Sequence, residues 1–92
     1  MPHNYRTSKN LDRILDKLFK KDKSSYEQVM NKIDEIINSY DVEHYKNLRH
    51  DLKDFKRVQV GHFVLIFKFN KTMNLVEFVD FDHHDNIYKK RF

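Results

Sequence analysis

Near its C-terminal end the chain reads Asp80-Phe81-Asp82-His83-His84-Asp85-Asn86-Ile87-Tyr88, three acids and two histidines within nine positions. Carboxylates and imidazoles this dense ligate divalent metals. An imidazole, which titrates near neutral pH, also moves protons in phosphodiester cleavage. In an extended segment, neighbouring side chains point to opposite faces, so only one of His83 and His84 can share a site with Asp82 or Asp85. No second acid–histidine cluster completes a three-ligand set, and no metal is assigned. Proton transfer on a phosphodiester needs two other groups. One is a cation that stabilises the extra charge on a pentavalent phosphate, and the other is an aromatic ring on which a base stacks. Arg57 and Tyr88 supply both if the end of the chain lies beside its middle. The plain alternative is a polar strand end around a partly buried Tyr88.

The chain that must position these groups has 92 residues, which sets the expectation of one domain spanning 1–92. A chain this short has a modest core and no space for an enclosed cofactor cavity, so no cofactor is expected. Eight Phe and five Tyr supply enough apolar bulk to fold despite 35% charged residues. Eighteen Lys and Arg against fourteen Asp and Glu leave a net charge of +4, which draws the protein toward polyanions. The absence of cysteine excludes disulfides and thiolate metal sites. No apolar run approaches membrane-spanning length and no signal peptide is recognisable, so a cytoplasmic protein without membrane contact is expected. A single Gly leaves no Gly-rich phosphate loop.

Two helices come first. Ser8 has the position of an N-cap before Leu11, Ile14, Leu15, Leu18 and Phe19, which repeat at helical spacing. After a charged break at Lys20 to Lys23, the capping box Ser24-x-x-Glu27 opens a second helix. Its apolar side is Tyr26, Val29, Met30, Ile33, Ile36 or Ile37, and Tyr40. The short link predicts an antiparallel hairpin. Lysines 17, 20, 21 and 23 form either a solvated face or a contact to a polyanion. Residues 41–54 form a polar connection, and then the period changes to that of strands.

Phe55 to Val60 and Phe63 to Phe69 flank Gly61-His62, the signature of a two-residue hairpin turn. That turn places Val60 opposite Phe63, Val58 opposite Leu65, and Lys56 opposite Phe67. The first two pairs form the face that the helices cover, while Arg57 with Ile66 and Gln59 with Val64 stand on the other face. A turn around Asn70-Lys71-Thr72 leads to a third strand, Leu75 to Phe81, which is apolar on both sides and not oriented by alternation. The fold class is α+β: a helical hairpin on one face of a small twisted antiparallel sheet. The sheet is a three-stranded meander to which His3 to Thr7 can add an edge strand.

The order of elements, with Leu48-Arg49-His50-Asp51-Leu52, then Arg57-Val58-Gln59-Val60-Gly61-His62-Phe63-Val64-Leu65-Ile66-Phe67, then His83-His84-Asp85-Asn86-Ile87-Tyr88, resembles the RelE/ParE toxin superfamily over residues 8–88. The resemblance implies the toxin of a type II toxin–antitoxin pair, a RelE-like mRNA interferase that cuts mRNA in the ribosomal A site without a metal. In that chemistry the ribose 2′-hydroxyl attacks the adjacent phosphate, leaving a cyclic phosphate and a free 5′-hydroxyl. Its partners would be a RelB-like antitoxin, mRNA and rRNA. Carried over by position, Arg57 contacts phosphate, His83 or His84 is the histidine of the terminal motif, and Tyr88 stacks on or orients the substrate.

Two positions depart from the family pattern, with Gln59 and Val64 standing where cations are expected. Losing two cations from a phosphate site weakens transition-state stabilisation. Arg49, Lys53, Lys56 and the tail Lys89-Lys90-Arg91 are the candidates that compensate, and together with Gln59 they make up the expected RNA-binding set. The same departures keep open a ParE-like, non-catalytic toxin that inhibits DNA gyrase.

Overall fold

The computed structural model describes residues 3–48, 54–87 and 89. Asn4–Thr7 forms β1, Lys9–Lys21 α1, Lys23–Ile37 α2, Lys56–Val60 β2, Phe63–Asn70 β3, Leu75–His83 β4 and His84–Ile87 a short helix α3. A 3₁₀ turn at Val42–His44 lies between α2 and β2. The four strands form one sheet in the order β1-β4-β3-β2. The N-terminal segment does add an edge strand, but it runs parallel to β4, so the sheet is mixed.

Ser8 caps α1, its hydroxyl oxygen accepting from Leu11 N at 3.0 Å. The same hydroxyl donates to Val79 O at 2.7 Å, so the cap also ties the helix to β4. The break between the helices is narrower than expected. Asp22 alone separates them, closing α1 through its N–H to Leu18 O and opening α2 with its carboxylate. That carboxylate accepts from Ser25 N at 3.1 Å and Ser25 Oγ at 2.7 Å. A carboxylate outcompetes the Ser24 hydroxyl as a cap because it takes both donors at once.

The β2–β3 register is the one the turn predicts, from Val60 opposite Phe63 to Lys56 opposite Phe67. Gly61 sits at φ +62°, a conformation that a residue with a Cβ adopts only at a cost. The helices cover Val60, Leu65, Phe67, Val76, Phe78 and Phe81, with Leu11, Val29, Ile33 and Ile36 descending from above. A bulge between Ile66 and Phe67 shifts the phase of β4, so Phe78 and Phe81 share this face although they are three positions apart.

The far face has a core of its own. Val64, Ile66, Leu48 and Ile87 are buried together, with Phe55 and Val79 packed against them. The outer edge of β2 is also covered. Arg57 N donates to Lys46 O at 2.9 Å and Leu48 N to Phe55 O at 2.8 Å, laying residues 46–48 alongside it as a strap.

Candidate functional site

Arg57 is paired with Ile66 and stands on the face away from the helices, above the second core. Its Nε is buried and has no hydrogen-bond partner among the described residues. A buried donor without an acceptor costs free energy, while the other N–H groups of a guanidinium can still meet an anion that presents paired oxygens.

The two histidines part company. His83 is the last residue of β4 and pairs with Phe63, on the side of Phe81 and the helices. Its ring lies 5.9 Å from that of Phe63. The structure therefore does not set His83 beside Arg57. His84 opens α3, which folds under the Arg57 face and buries Ile87 against Val64 and Ile66. The strand runs two residues past its expected end at Phe81, taking in His83 but not His84. Asp82 ends the extension by accepting from His83 N at 2.7 Å and from Asn86 Nδ2 at 3.3 Å, which turns the chain.

Asp85 touches both rings. Its N–H donates to His83 Nδ1 at 3.3 Å, and its Oδ2 lies 3.6 Å from that same nitrogen. His84 Nδ1 lies 3.3 Å from Asp85 Oδ1, which as a carboxylate oxygen can only accept. His84 therefore holds its proton on Nδ1 and turns an Nε2 lone pair to solvent.

The expected RNA-binding residues distribute unevenly. Lys56 is occupied, its Nζ donating to Glu43 O at 3.3 Å, Tyr45 O at 3.2 Å and Asn47 Oδ1 at 3.0 Å. It clamps the strap and is not presented to a ligand. Gln59 is exposed at the hairpin end, and its Nε2 donates to Gly61 O at 3.0 Å. Val64 is buried in the second core, so no surface cation could stand there without breaking that core. Lys89 is exposed. Tyr88, Arg49, Lys53, Lys90 and Arg91 lie outside the described residues. Among the described residues, no three His, Asp or Glu gather as metal ligands, and no helix is long and apolar enough to cross a membrane.

A groove of about 490 Å³ runs between β1 and the two long helices, lined by Tyr5, Leu15, Phe19, Tyr26 and Met30, with Asp12 and Asp16 also in its wall. Phe19 and Tyr5 are each about half exposed on it, at 51% and 54%. Sequence reading put Phe19 and Tyr26 on the apolar faces of their helices, and the structure stacks their rings edge to face at 5.2 Å beside this groove.

Residues 6–88 match the family model of the ParE toxin of the type II toxin–antitoxin system parDE. The chain belongs to the RelE/ParE toxin superfamily. Within it, the chain is 52% identical over 83 residues to the protein called RelE4 of Methanocaldococcus jannaschii, covering 89% of this chain and 86% of that one. The RelE/ParE fold is equally recognisable in solved structures. Escherichia coli RelE, as a mutant in the free state, superposes with a TM-score of 0.68 at 18% identity, over 96% of this chain and 90% of that chain. A chain of the Mycobacterium tuberculosis toxin–antitoxin complex RelBE2 superposes with a TM-score of 0.62 at 18% identity, covering 91% and 100% respectively.

Proposed function

We propose that this RelE/ParE protein is a cytoplasmic toxin that cleaves mRNA in the ribosomal A site, held in check by a RelB-like antitoxin. The observation that carries the reading is Arg57, a guanidinium over an apolar floor with a buried, unpartnered Nε. In this reading the scissile phosphate accepts from Arg57, and His84 Nε2 takes the proton of the 2′-hydroxyl as its oxygen attacks phosphorus. The bond to the 5′ oxygen breaks, that oxygen leaves with a proton from solvent, and a 2′,3′-cyclic phosphate remains. No metal takes part. Tyr88 follows the buried Ile87 directly in sequence and supplies the stacking ring.

The groove beside β1 is the proposed seat of the antitoxin. Its exposed aromatic rings fit an apolar segment, and Asp12 and Asp16 fit basic residues flanking that segment. Primer extension on mRNA from cells expressing the protein tests the nuclease reading. Cuts phased with the reading frame are expected, and their absence together with normal translation would refute it.

The non-catalytic, gyrase-inhibiting reading is favoured by the missing cations at Gln59 and the buried Val64 and by the match of residues 6–88 to the ParE toxin family model. A DNA supercoiling assay separates the two, since inhibition there without RNA cleavage transfers the assignment.

A further inference from the structure

A second, chemically different cleft opens at the other end of β2. It encloses about 330 Å³ between α2, which contributes Gln28, Asn31, Lys32 and Glu35, and the hairpin end, which contributes Gln59 and Gly61. That volume is at the small end of ligand sites and suits one compact group. Lys32 and Glu35 neutralise each other, with Nζ and Oε1 3.2 Å apart. Glu35 is further engaged by the Tyr45 hydroxyl at 2.9 Å. The cleft therefore offers no net charge to a phosphate. What it offers is carboxamides, each an adjacent donor and acceptor. Those of Gln28 and Asn31 make no hydrogen bond among the described residues, and a Cβ on Gly61 would lie 3.9 Å from Gln28 Oε1. Gln59 folds back over the turn through its bond to Gly61 O.

We infer that this cleft binds an unpaired nucleobase of the RNA substrate, read by the carboxamides of Gln28 and Asn31 at the rim that Gln59 marks. The inference rests on the RNA-cleaving reading above and deepens it. Carboxamides match the donor–acceptor edge of a base as two point cations do not. The Gln at position 59, which weakens the phosphate site, thereby extends a surface suited to base recognition.

The test uses ¹⁵N-labelled Arg57→Ala protein, which should not cleave, titrated with a short single-stranded oligoribonucleotide. The side-chain amide resonances of Gln28 and Asn31 and the backbone amide of Gly61 should shift together. An abasic strand of the same length should leave them in place. The double variant Gln28→Ala/Asn31→Ala sits on an exposed helix face, where Ala favours the helix, and should weaken binding about tenfold. Shifts confined to the Arg57 face, equal shifts with the abasic strand, or an affinity within twofold of the parent would overturn the cleft while leaving the nuclease reading intact. Base-dependent shifts in the cleft, from a protein whose unmutated form cleaves no RNA, would uphold the cleft and end the nuclease reading alone.

Discussion

At the scale of single residues, Arg57 and the histidine pair carry the proposed chemistry. A guanidinium presents a planar fork with Nε at its base, and an ammonium presents a point charge. If the planar fork of Arg57 holds the phosphate, Arg57→Lys should retain charge yet lose most of the activity, about tenfold or more. Arg57→Ala should lose about 10²–10³-fold, the usual cost of removing a preorganised donor. Ribosome-programmed cleavage of a defined mRNA measures both. In the same assay His84→Ala should fall about 10²-fold or more, as expected for a general base. His83→Ala, on the Phe63 side, should stay within a few-fold. Equal losses at both histidines would contradict the division of roles. The residue types and the side of Arg57 were legible in the sequence, but the side of each histidine was not. Register puts His83 on the Phe63 side, and Asp82, bonded to His83 N and Asn86 Nδ2, turns the chain directly after it.

Among the elements, the hairpin was the most readable because Gly61-His62 fixes both its turn and its register, and register fixes which residues share a face. β4 was not readable by alternation, since the bulge at Ile66/Phe67 changes its phase midway. The second core was also hidden, because Leu48 and Ile87 lie 39 positions apart and meet only after the sheet exists. Lys56 gives the sharpest contrast. Read as sequence it is one more cation for RNA, yet in the structure its three acceptors are two backbone carbonyls and an amide of a distant strap. Lys56→Met keeps the stem and deletes the donors, and should cost about 1–3 kcal/mol of stability. Urea denaturation checks this, with the midpoint falling at unchanged slope. Stability unchanged within error would mean the strap holds by its backbone bonds alone.

For the molecule as a whole, one hydrogen bond joins the connection before β2 to the helical layer and sets a pH window. The Tyr45 hydroxyl donates to Glu35 Oε2 at 2.9 Å. Burial first, and then the Glu35 carboxylate, push the Tyr45 phenol up to about 12. The Tyr45 bond, followed by Lys32, holds the Glu35 carboxyl below its ordinary value. A lowered acid stabilises above its unfolded value of 4.5 and loses that contribution as pH falls. A phenol raised from 10.0 stabilises below that value and loses its contribution as pH climbs toward about 12. Stability attributable to the pair should therefore be flat between these limits and decline outside them. Tyr45→Phe should lower thermal stability most within the window and converge with the parent at either extreme. A difference independent of pH would assign the loss to packing.

The pairing of β1 with β4 joins Asn4 to Leu75, and across the adjoining turn His3 bonds to Asn74, 71 positions on. An early strand thus waits for one made 71 positions later before its backbone groups are satisfied. The two long helices and the β2–β3 hairpin form from much nearer contacts, so the parallel edge is the last joint of the sheet to close.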